Sequence, residues 1–260
     1  MGIYDDVVEV ARRTMVLFFV VDTSGSMNGA KIGTVNSAIE EIVPELKDIS
    51  EENADAVIKV ATLAFSSGAH WINEPISAET FRWNYLNAKG VTDLGKAFDE
   101  LNEKLSRNAY MGDISGSFAP VIFLMSDGEP TDNYMDSLEV LRENNWFKKA
   151  IKVAVAIGKD ANKRVLGEFT GNPDAVISVH TPEALKKWIQ FVSVTASQIG
   201  SRSANATGSG NNSSNVSDGS SKPKGKINLT KQDEFIREIK AQEAAEAESW
   251  DDFDDGGIQW

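Results

Sequence analysis

The residues best suited to chemistry in this chain are one carboxylate and two hydroxyls, Asp22, Ser24 and Ser26, which alternate along a short stretch. They follow the apolar run 15–21, which is rich in β-branched and aromatic residues, as is typical of a central strand in a parallel sheet. Open α/β sheets bind ligands just past the carboxyl ends of such strands. Gly25 allows the loop to curl, so the three oxygens can converge on one cation. Because all three are hard oxygen donors, they favour Mg²⁺ or Mn²⁺ over zinc.

Two further oxygen donors stand at strand or helix boundaries later in the chain. Thr92 lies in the segment Gly-Val-Thr-Asp-Leu-Gly, and Asp127 follows the apolar segment 121–126. Each residue also has an ordinary structural explanation, because Thr92 can cap the next helix and Asp127 can form a turn before Gly128. Ser24 and Ser26 can likewise be simple turn formers. The occurrence of all three motifs in this order favours a metal site over these separate explanations.

The three motifs together resemble the metal-ion-dependent adhesion site, or MIDAS, of von Willebrand factor A domains. The resemblance covers roughly residues 10 to 200. It implies that the hydroxyls of Ser24, Ser26 and Thr92 touch the cation directly, while Asp22 and Asp127 hold it largely through water. Neutral hydroxyls leave much of the metal's charge uncompensated, and Mg²⁺ completes six oxygen ligands from outside the protein. One position is then open to an Asp or Glu carboxylate from a partner protein.

Apolar segments with strand and helix character alternate along the chain, which predicts an α/β fold. We expect a doubly wound, mostly parallel central sheet with helices on both faces, and the resemblance implies the same Rossmann-like architecture. Residues 69–73 follow a Ser-Ser-Gly turn and are predicted to form one antiparallel edge strand. The first long helix is expected to bend or end near Pro44. The aromatic segment 77–87 is interpreted as a packed helix and loop, or alternatively as an exposed patch that meets a partner.

The composition limits the kinds of partner. The chain has 260 residues, no cysteine, and 26 basic against 39 acidic residues, giving a net charge of −13. This charge argues against nucleic-acid binding and against anionic membrane surfaces. No apolar run approaches the roughly 20 residues of a membrane span. The acidic start of the chain does not look like a secretory signal, so we expect a cytoplasmic location.

The sequence predicts three parts: a von Willebrand A domain at 1–200, a flexible linker rich in Ser, Gly and Asn at 201–226, and an acidic tail at 227–260. The tail begins with helical character and a weak apolar stripe, and ends in acids interleaved with aromatic residues. We interpret it as an interaction motif that binds the chain's own domain or another protein, the alternative being a solubilising tail. A chain ending near Gly200 is expected to fold as well as the full chain.

Enzymatic explanations fit the sequence less well than a binding role. Asp22 could act as the nucleophile of a hydrolase, but Ser24 stands where a phosphatase of that kind would carry a second Asp. The sequence also contains no Gly-x-Ser-x-Gly elbow and no Walker loop. A noncatalytic, metal-dependent protein-binding module is therefore the preferred interpretation.

Within that class, the motifs around Asp22, Thr92 and Asp127 are similar to those of bacterial von Willebrand A proteins of the TerY-like, tellurium-resistance type. That resemblance implies a role in a stress-response or signalling assembly with protein kinase and phosphatase partners. The alternative is a substrate-recruiting subunit of an ATPase-driven chelatase or remodelling complex. The two alternatives differ in the partner that they require, and the sequence leaves both open.

Overall fold

A computed structural model describes residues 12–106, 116–208 and 230–251 of the chain. Its centre is one sheet of six strands: β1 (Arg13–Asp22), β2 (Ala56–Ser66), β3 (Gly68–Ser77), β4 (Val121–Ser126), β5 (Ile151–Ile157) and β6 (Val176–Val179). The strands lie in the order β3-β2-β1-β4-β5-β6, and among these neighbours only β2 and β3 pair antiparallel. This arrangement confirms the predicted doubly wound, mostly parallel sheet with one antiparallel edge strand.

Helices cover both faces of the sheet. The described part of the chain contains α1 (Ala30–Glu52), α2 (Leu94–Lys104), α3 (Tyr134–Glu143), α4 (Asn145–Lys149), α5 (Lys163–Thr170), α6 (Pro182–Gly208) and α7 (Lys231–Asp251). Apolar side chains of α1, α6 and α7 pack on one face, and those of α2, α3, α4 and α5 pack on the other. None of the helices in these ranges has the length and apolar character needed to cross a membrane.

Strand β1 lies inside the sheet, and it places the first candidate ligand. It pairs with β2 on one side and with β4 on the other. Leu17 and Phe19 belong to the apolar cluster on one face, whereas Phe18 and Val20 belong to the cluster on the opposite face. Because both faces and both edges are covered, Asp22 at the carboxyl end of β1 has no freedom to move away from the sheet.

Helix α1 passes through Pro44 and continues to Glu52, so of the two predicted alternatives, a bend or an end near this proline, the end is wrong. A proline inside a helix removes one backbone hydrogen bond and crowds the preceding turn. Ile42 and Leu46 on either side of it are fully buried against the sheet. Packing of this apolar face therefore holds the helix together across the defect.

Helix α6 extends beyond the predicted start of the linker at 201 and reaches Gly208. Gly200 lies inside this helix, where a Cβ would stand 3.2 Å from the ring of Phe118. The glycine therefore reflects close packing at this point and does not mark a helix end. The rest of the predicted linker lies outside the described residues.

Helix α7 packs on the domain, although the sequence predicts a separate tail at 227–260. Phe235 and Ile239 are fully buried, Ile236 is nearly so, and the first two join the same apolar cluster as α1 and α6. The ring of Phe235 lies 6.5 Å from that of Phe191 on α6, measured between centroids. At the surface, Lys240 forms an ion pair with Asp174 at 2.7 Å. The predicted aromatic end of the tail, 252–260, lies outside the described residues.

Gln232 at the start of α7 completes the sheet where β6 is too short to do so. Strand β6 pairs with β5 only from Ala154 onward, so the backbone of Lys152 lies beyond its reach. The Gln232 side chain accepts a hydrogen bond from the Lys152 N–H at 2.8 Å and donates one to the Lys152 carbonyl at 3.0 Å. One side-chain amide thus replaces a neighbouring strand at a backbone that would otherwise be an open edge.

The packing of α7 predicts that Phe235→Ala destabilises the domain. Removing a fully buried phenylalanine ring costs about 3–5 kcal/mol, because the contacts are lost and a cavity remains. We expect the free energy of unfolding, measured by urea denaturation of the full chain, to fall by this amount.

Val140→Ala is the control, because Val140 is 60% exposed on α3. Its effect should stay within about 0.5 kcal/mol. A chain ending at Gly208 should lose at least as much stability as the Phe235 variant. Equal stability of the truncated and full chains would contradict this account and restore the separate tail that the sequence suggested.

Candidate metal centre

Three loops meet at the carboxyl edge of the sheet, and we name them the first loop (23–29), the second loop (78–93) and the third loop (127–133). Backbone hydrogen bonds join the first two: the Gly25 N–H donates to the Gly90 carbonyl at 2.9 Å, and the Lys89 N–H donates to the Thr23 carbonyl at 2.8 Å. A Cβ on Gly25 would stand 3.2 Å from the Gly90 carbonyl oxygen. The glycine at this position therefore permits the close approach of the two loops.

The third loop is joined to the second, and the strands that precede the third and first loops are joined to each other. The Thr131 N–H donates to the Thr92 carbonyl at 2.9 Å, and the Thr92 N–H donates to the Thr131 hydroxyl at 3.0 Å. At the strand ends, the Ser126 hydroxyl donates to Asp22 Oδ2 at 2.6 Å. The structure thus brings together the three segments that carry the predicted ligands, in the order that the sequence indicated.

Asp22 is fully buried, and both of its carboxylate oxygens accept hydrogen bonds. Oδ1 accepts from the Ser24 N–H at 2.8 Å, and Oδ2 accepts from Ser126. Burial raises the pKa of Asp22 above its ordinary value, because the hydrogen bonds from Ser126 and Ser24 offset only part of the desolvation and the charge of Asp127 adds to it. A cation beside this carboxylate would stabilise its ionised form.

The two serine hydroxyls of the first loop lie together. Their Oγ atoms are 3.0 Å apart, with Ser24 buried and Ser26 exposed. This spacing allows both hydroxyls to face one small cation, as the resemblance implied. Thr92 is also buried, and the cap residue of α2 is Asp93, without a capping hydrogen bond from its side chain. The alternative that Thr92 serves as the cap of this helix is therefore wrong.

Asp127 provides the observation that most favours a bound cation. The residue is 2% exposed, and its Oδ1 is buried without a hydrogen-bond partner in the part of the chain that the structure describes. Its Oδ2 accepts a hydrogen bond from the Lys31 ammonium at 3.1 Å. A buried carboxylate oxygen without a donor is costly unless a cation or a metal-bound water satisfies it. The residues present therefore fit a metal ion of the kind that the motifs predict.

A metal site at this edge would need oxygen donors in addition to its carboxylates. Within the described ranges, no group of three His, Asp or Glu side chains is placed to hold a metal ion, and the chain has no cysteine. Asp22 and Asp127 are the two buried carboxylates at the three loops, and the remaining candidate ligands are the hydroxyls of Ser24, Ser26 and Thr92. A donor set of this kind suits a hard cation.

Asn36 on α1 fixes the second loop, and the sequence analysis missed this role. Its Nδ2 donates to the Leu86 carbonyl at 2.9 Å, while its Oδ1 accepts from the Leu86 N–H at 2.9 Å and from the Trp83 Nε1–H at 3.1 Å. The signal in the sequence is a polar residue on the apolar face of a helix.

The aromatic segment 77–87 runs from the end of β3 into the second loop. Phe81 is buried, and Tyr85 is 59% exposed. The segment 77–87 forms a turn and a loop, so the predicted helix is wrong and the predicted packed loop is present. The exposed Tyr85 leaves the alternative of a partner contact as a prediction.

Ser126, Lys31 and Asp160 are three further residues at the site that the motifs did not indicate. Ser126 joins Asp22 to the third loop, and its Oγ also accepts from the Gly128 N–H at 2.8 Å. Lys31 bridges Asp127 and Asp160, with the second distance 2.8 Å. Burial alone lowers the pKa of Lys31, but the hydrogen bonds to Asp160 and Asp127 outweigh it and raise the pKa overall. Ser126 directly precedes Asp127, whereas no sequence pattern marks the other two.

The fold and the three loops define the class of protein. Residues 17–191 match the model of the von Willebrand factor type A domain. The match covers well over half of the chain, and the chain belongs to the von Willebrand factor type A family. A comparison with curated proteins finds no sequence match.

Several solved structures share this fold at low sequence identity. The pilus adhesin SpaC from Lactobacillus rhamnosus GG, in its open conformation, is 14% identical with a TM-score of 0.53, covering 74% of this chain and 30% of that chain. A von Willebrand factor type A structure from Catenulispora acidiphila is 17% identical with a TM-score of 0.50, covering 72% and 43%. Proximal thread matrix protein 1 from the mussel byssus, with a zinc-occupied MIDAS motif, is 15% identical with a TM-score of 0.52, covering 72% and 48%.

These likenesses are of fold alone at such identities. This chain spans less than half the length of each of the three solved chains. Domains of the family are typically noncatalytic modules for adhesion or protein interaction, and one relative holds a divalent metal.

The raised pKa of Asp22 predicts a pH dependence of the stability of the metal-free protein. A carboxyl whose pKa is raised in the folded state contributes stability that is fully present below its unfolded pKa and is lost as the pH rises through the folded value. Asp22→Asn removes this titration. In EDTA, the stability of the wild type relative to Asp22→Asn should therefore fall as the pH rises above the ordinary value of 3.8.

Urea denaturation of both proteins across the acid and neutral range measures this difference. Asp55→Asn is the control, because Asp55 is exposed at the opposite end of the sheet, before β2. The difference in the free energy of unfolding between Asp55→Asn and the wild type should not follow the pH trend expected for Asp22→Asn. A wild type that gains stability relative to Asp22→Asn as the pH rises would show that Asp22 is stabilised as an ion without metal.

Proposed function

We propose that this chain is a noncatalytic, metal-dependent protein-binding module of the MIDAS type. The metal site consists of Asp22, Ser24, Ser26, Thr92 and Asp127, and the cation is Mg²⁺ or Mn²⁺. The single observation that carries the proposal is the buried, unpaired Oδ1 of Asp127 beside loops whose backbones are joined. A metal ion bound there would supply a Lewis-acidic position for a carboxylate oxygen.

The charge of the proposed ligands supports a role in docking. Three of the five ligands are neutral hydroxyls, and the resemblance implies that the two carboxylates hold the metal largely through water. Lys31, whose Nζ lies 3.1 Å from Asp127 Oδ2, competes with the metal for one of these carboxylates. An Asp or Glu from a partner would supply a carboxylate that binds the metal directly. The partner is therefore a protein that presents an acidic side chain.

The choice of metal follows from the donor atoms. The mussel byssus relative holds zinc in its MIDAS motif, which supports divalent binding in the family. In this chain the five donors are all oxygens, and such a set favours Mg²⁺ or Mn²⁺ over zinc.

We place the module in a bacterial stress-response or tellurium-resistance-type assembly in the cytoplasm, with kinase or phosphatase partners. The similarity of the motifs around Asp22, Thr92 and Asp127 to TerY-like proteins supports this, and the acidic, cysteine-free composition fits the location. The alternative partner is an ATPase of a chelatase or remodelling complex. The noncatalytic role rests on the family to which the chain belongs.

The metal site is tested by titration calorimetry with Mg²⁺ and Mn²⁺. We expect one site in the wild type and at least a tenfold loss of affinity in Ser24→Ala/Ser26→Ala, because two direct ligands are removed. Ser178→Ala, an exposed serine on the edge strand β6, is the control. Equal binding by the double variant and the wild type would refute the assignment.

The docking role is tested by copurification from the native cell. A partner captured by the wild type with Mg²⁺ should be lost with EDTA and lost from Asp22→Ala, provided that this variant keeps the melting temperature of the metal-free wild type. Identification of a kinase, a phosphatase or an ATPase would decide between the two assemblies. A partner retained in EDTA by both proteins would show that binding does not use the metal. Hydrolytic turnover abolished by Asp22→Ala in a folded protein would instead support the hydrolase alternative.

A further inference from the structure

Lys31 on α1 lies between a buried and an exposed carboxylate at the metal centre. Its Nζ is 3.1 Å from Oδ2 of Asp127 and 2.8 Å from Oδ2 of Asp160. The side chain of Asp127 is 2% exposed, that of Asp160 is 73% exposed, and that of Lys31 is 19% exposed. The ammonium is thus shared between a proposed metal ligand and an acid at the surface.

The chain provides room for this arrangement at the end of β5. Gly158 has a φ of +94°, in the region that favours glycine, and a Cβ there would stand 2.7 Å from Lys31 Cε and 2.8 Å from Asp160 Oδ1. Any larger residue at 158 would therefore displace the lysine side chain or its exposed partner. The Gly158 N–H also bonds to the Val179 carbonyl at 3.3 Å, which fixes the start of this loop to the sheet.

The two oxygens of Asp127 have different surroundings. Oδ2 faces the ammonium, whereas Oδ1 is buried and unpaired. A divalent cation held near Asp127 and the Lys31 ammonium are like charges that draw on the same carboxylate, and they repel each other in a poorly solvated site. Asp160 offers the ammonium a second acceptor outside the buried centre.

We propose that Lys31 is a tethered cation that weakens metal binding in the absence of a partner, and that Asp160 limits this effect by holding the ammonium. This inference rests on the proposed function, since it requires a metal at the five ligands named there. Its consequence is that metal and partner carboxylate bind better together than separately. The carboxylate returns the negative charge that Lys31 cancels, so the site retains its metal best when the partner is docked.

The test is a titration of the full chain with Mn²⁺ alone at low ionic strength, with free Mn²⁺ followed by its electron paramagnetic resonance signal. Lys31→Met should bind Mn²⁺ about tenfold more tightly, because a like charge close to the site is removed. Asp160→Asn should bind several-fold more weakly, because Asp127 is then the one carboxylate that still faces the ammonium. In the Lys31→Met background, the Asp160 substitution should change the affinity much less.

Lys47→Met is the matched control. Lys47 is also on α1, is paired with Glu51 at 3.5 Å, and lies four turns further along the helix from Lys31. The substitution Lys47→Met changes the net charge by the same amount without removing a contact of Asp127, so the Mn²⁺ affinity of this variant should equal that of the wild type. Lys31→Gln serves as a second variant if Lys31→Met fails to fold.

The results separate this inference from the metal site itself. Loss of Mn²⁺ binding in Ser24→Ala/Ser26→Ala together with unchanged or weaker binding in the Lys31 variants would overturn the role of Lys31 and leave the site standing. Full Mn²⁺ binding by the double serine variant would overturn the site. An equal gain in affinity from Lys31→Met and Lys47→Met would reduce the effect to net charge, and would also overturn the role of Lys31.

Discussion

The burial of the Asp22 carboxylate is the constraint on which the site depends. An aspartate with no exposed surface carries a desolvation penalty that the hydrogen bonds from Ser24 and Ser126 offset only in part. The residue stays in this position because β1 is paired on both sides and covered on both faces. The packing of the sheet therefore keeps the Asp22 carboxylate buried, although its ionised form would be more stable in water. A cation at the proposed site would relieve the penalty, and metal binding would then be coupled to the stability of this edge.

The order of the loops could be predicted from the sequence because the relevant signals are local. An apolar run gives the strand, the strand direction gives its carboxyl end, and the polar residues that follow give the candidate ligands. What the sequence does not contain is the set of backbone bonds that join the loops. The bonds from Gly25 to Gly90 and from Thr131 to Thr92 join backbone N–H and C=O groups, which every residue type except proline carries. No side-chain pattern reports them.

The position of α7 shows the opposite failure, in which a sequence pattern was present but too weak to interpret. Phe235, Ile236 and Ile239 form a short apolar stripe within a strongly acidic helix, which is equally typical of a surface segment. These residues pack against α6, β5 and the turn Pro173–Ala175, which are distant from α7 in the sequence. Gln232 looks like an ordinary polar residue until the length of β6 is known. Tertiary packing therefore determines the position of α7, as it determines the continuation of α1 through Pro44.

Two lysines of this negatively charged chain show two different ways of satisfying a cation. Lys152 near the amino end of β5 donates to the Phe147 and Ala150 carbonyls, and burial lowers its pKa to about 8. It has no carboxylate among these contacts, and the ring of Phe147 lies 5.1 Å from its Nζ. Lys31, beyond the carboxyl end of the sheet, contacts Asp127 and Asp160 instead. The first arrangement satisfies a buried cation with backbone dipoles and an aromatic ring. The second satisfies it with two carboxylates, one buried and one exposed. An ammonium held by side chains in this way could give up one partner without breaking a backbone contact, which is what the proposed metal site at the carboxyl edge of the sheet requires.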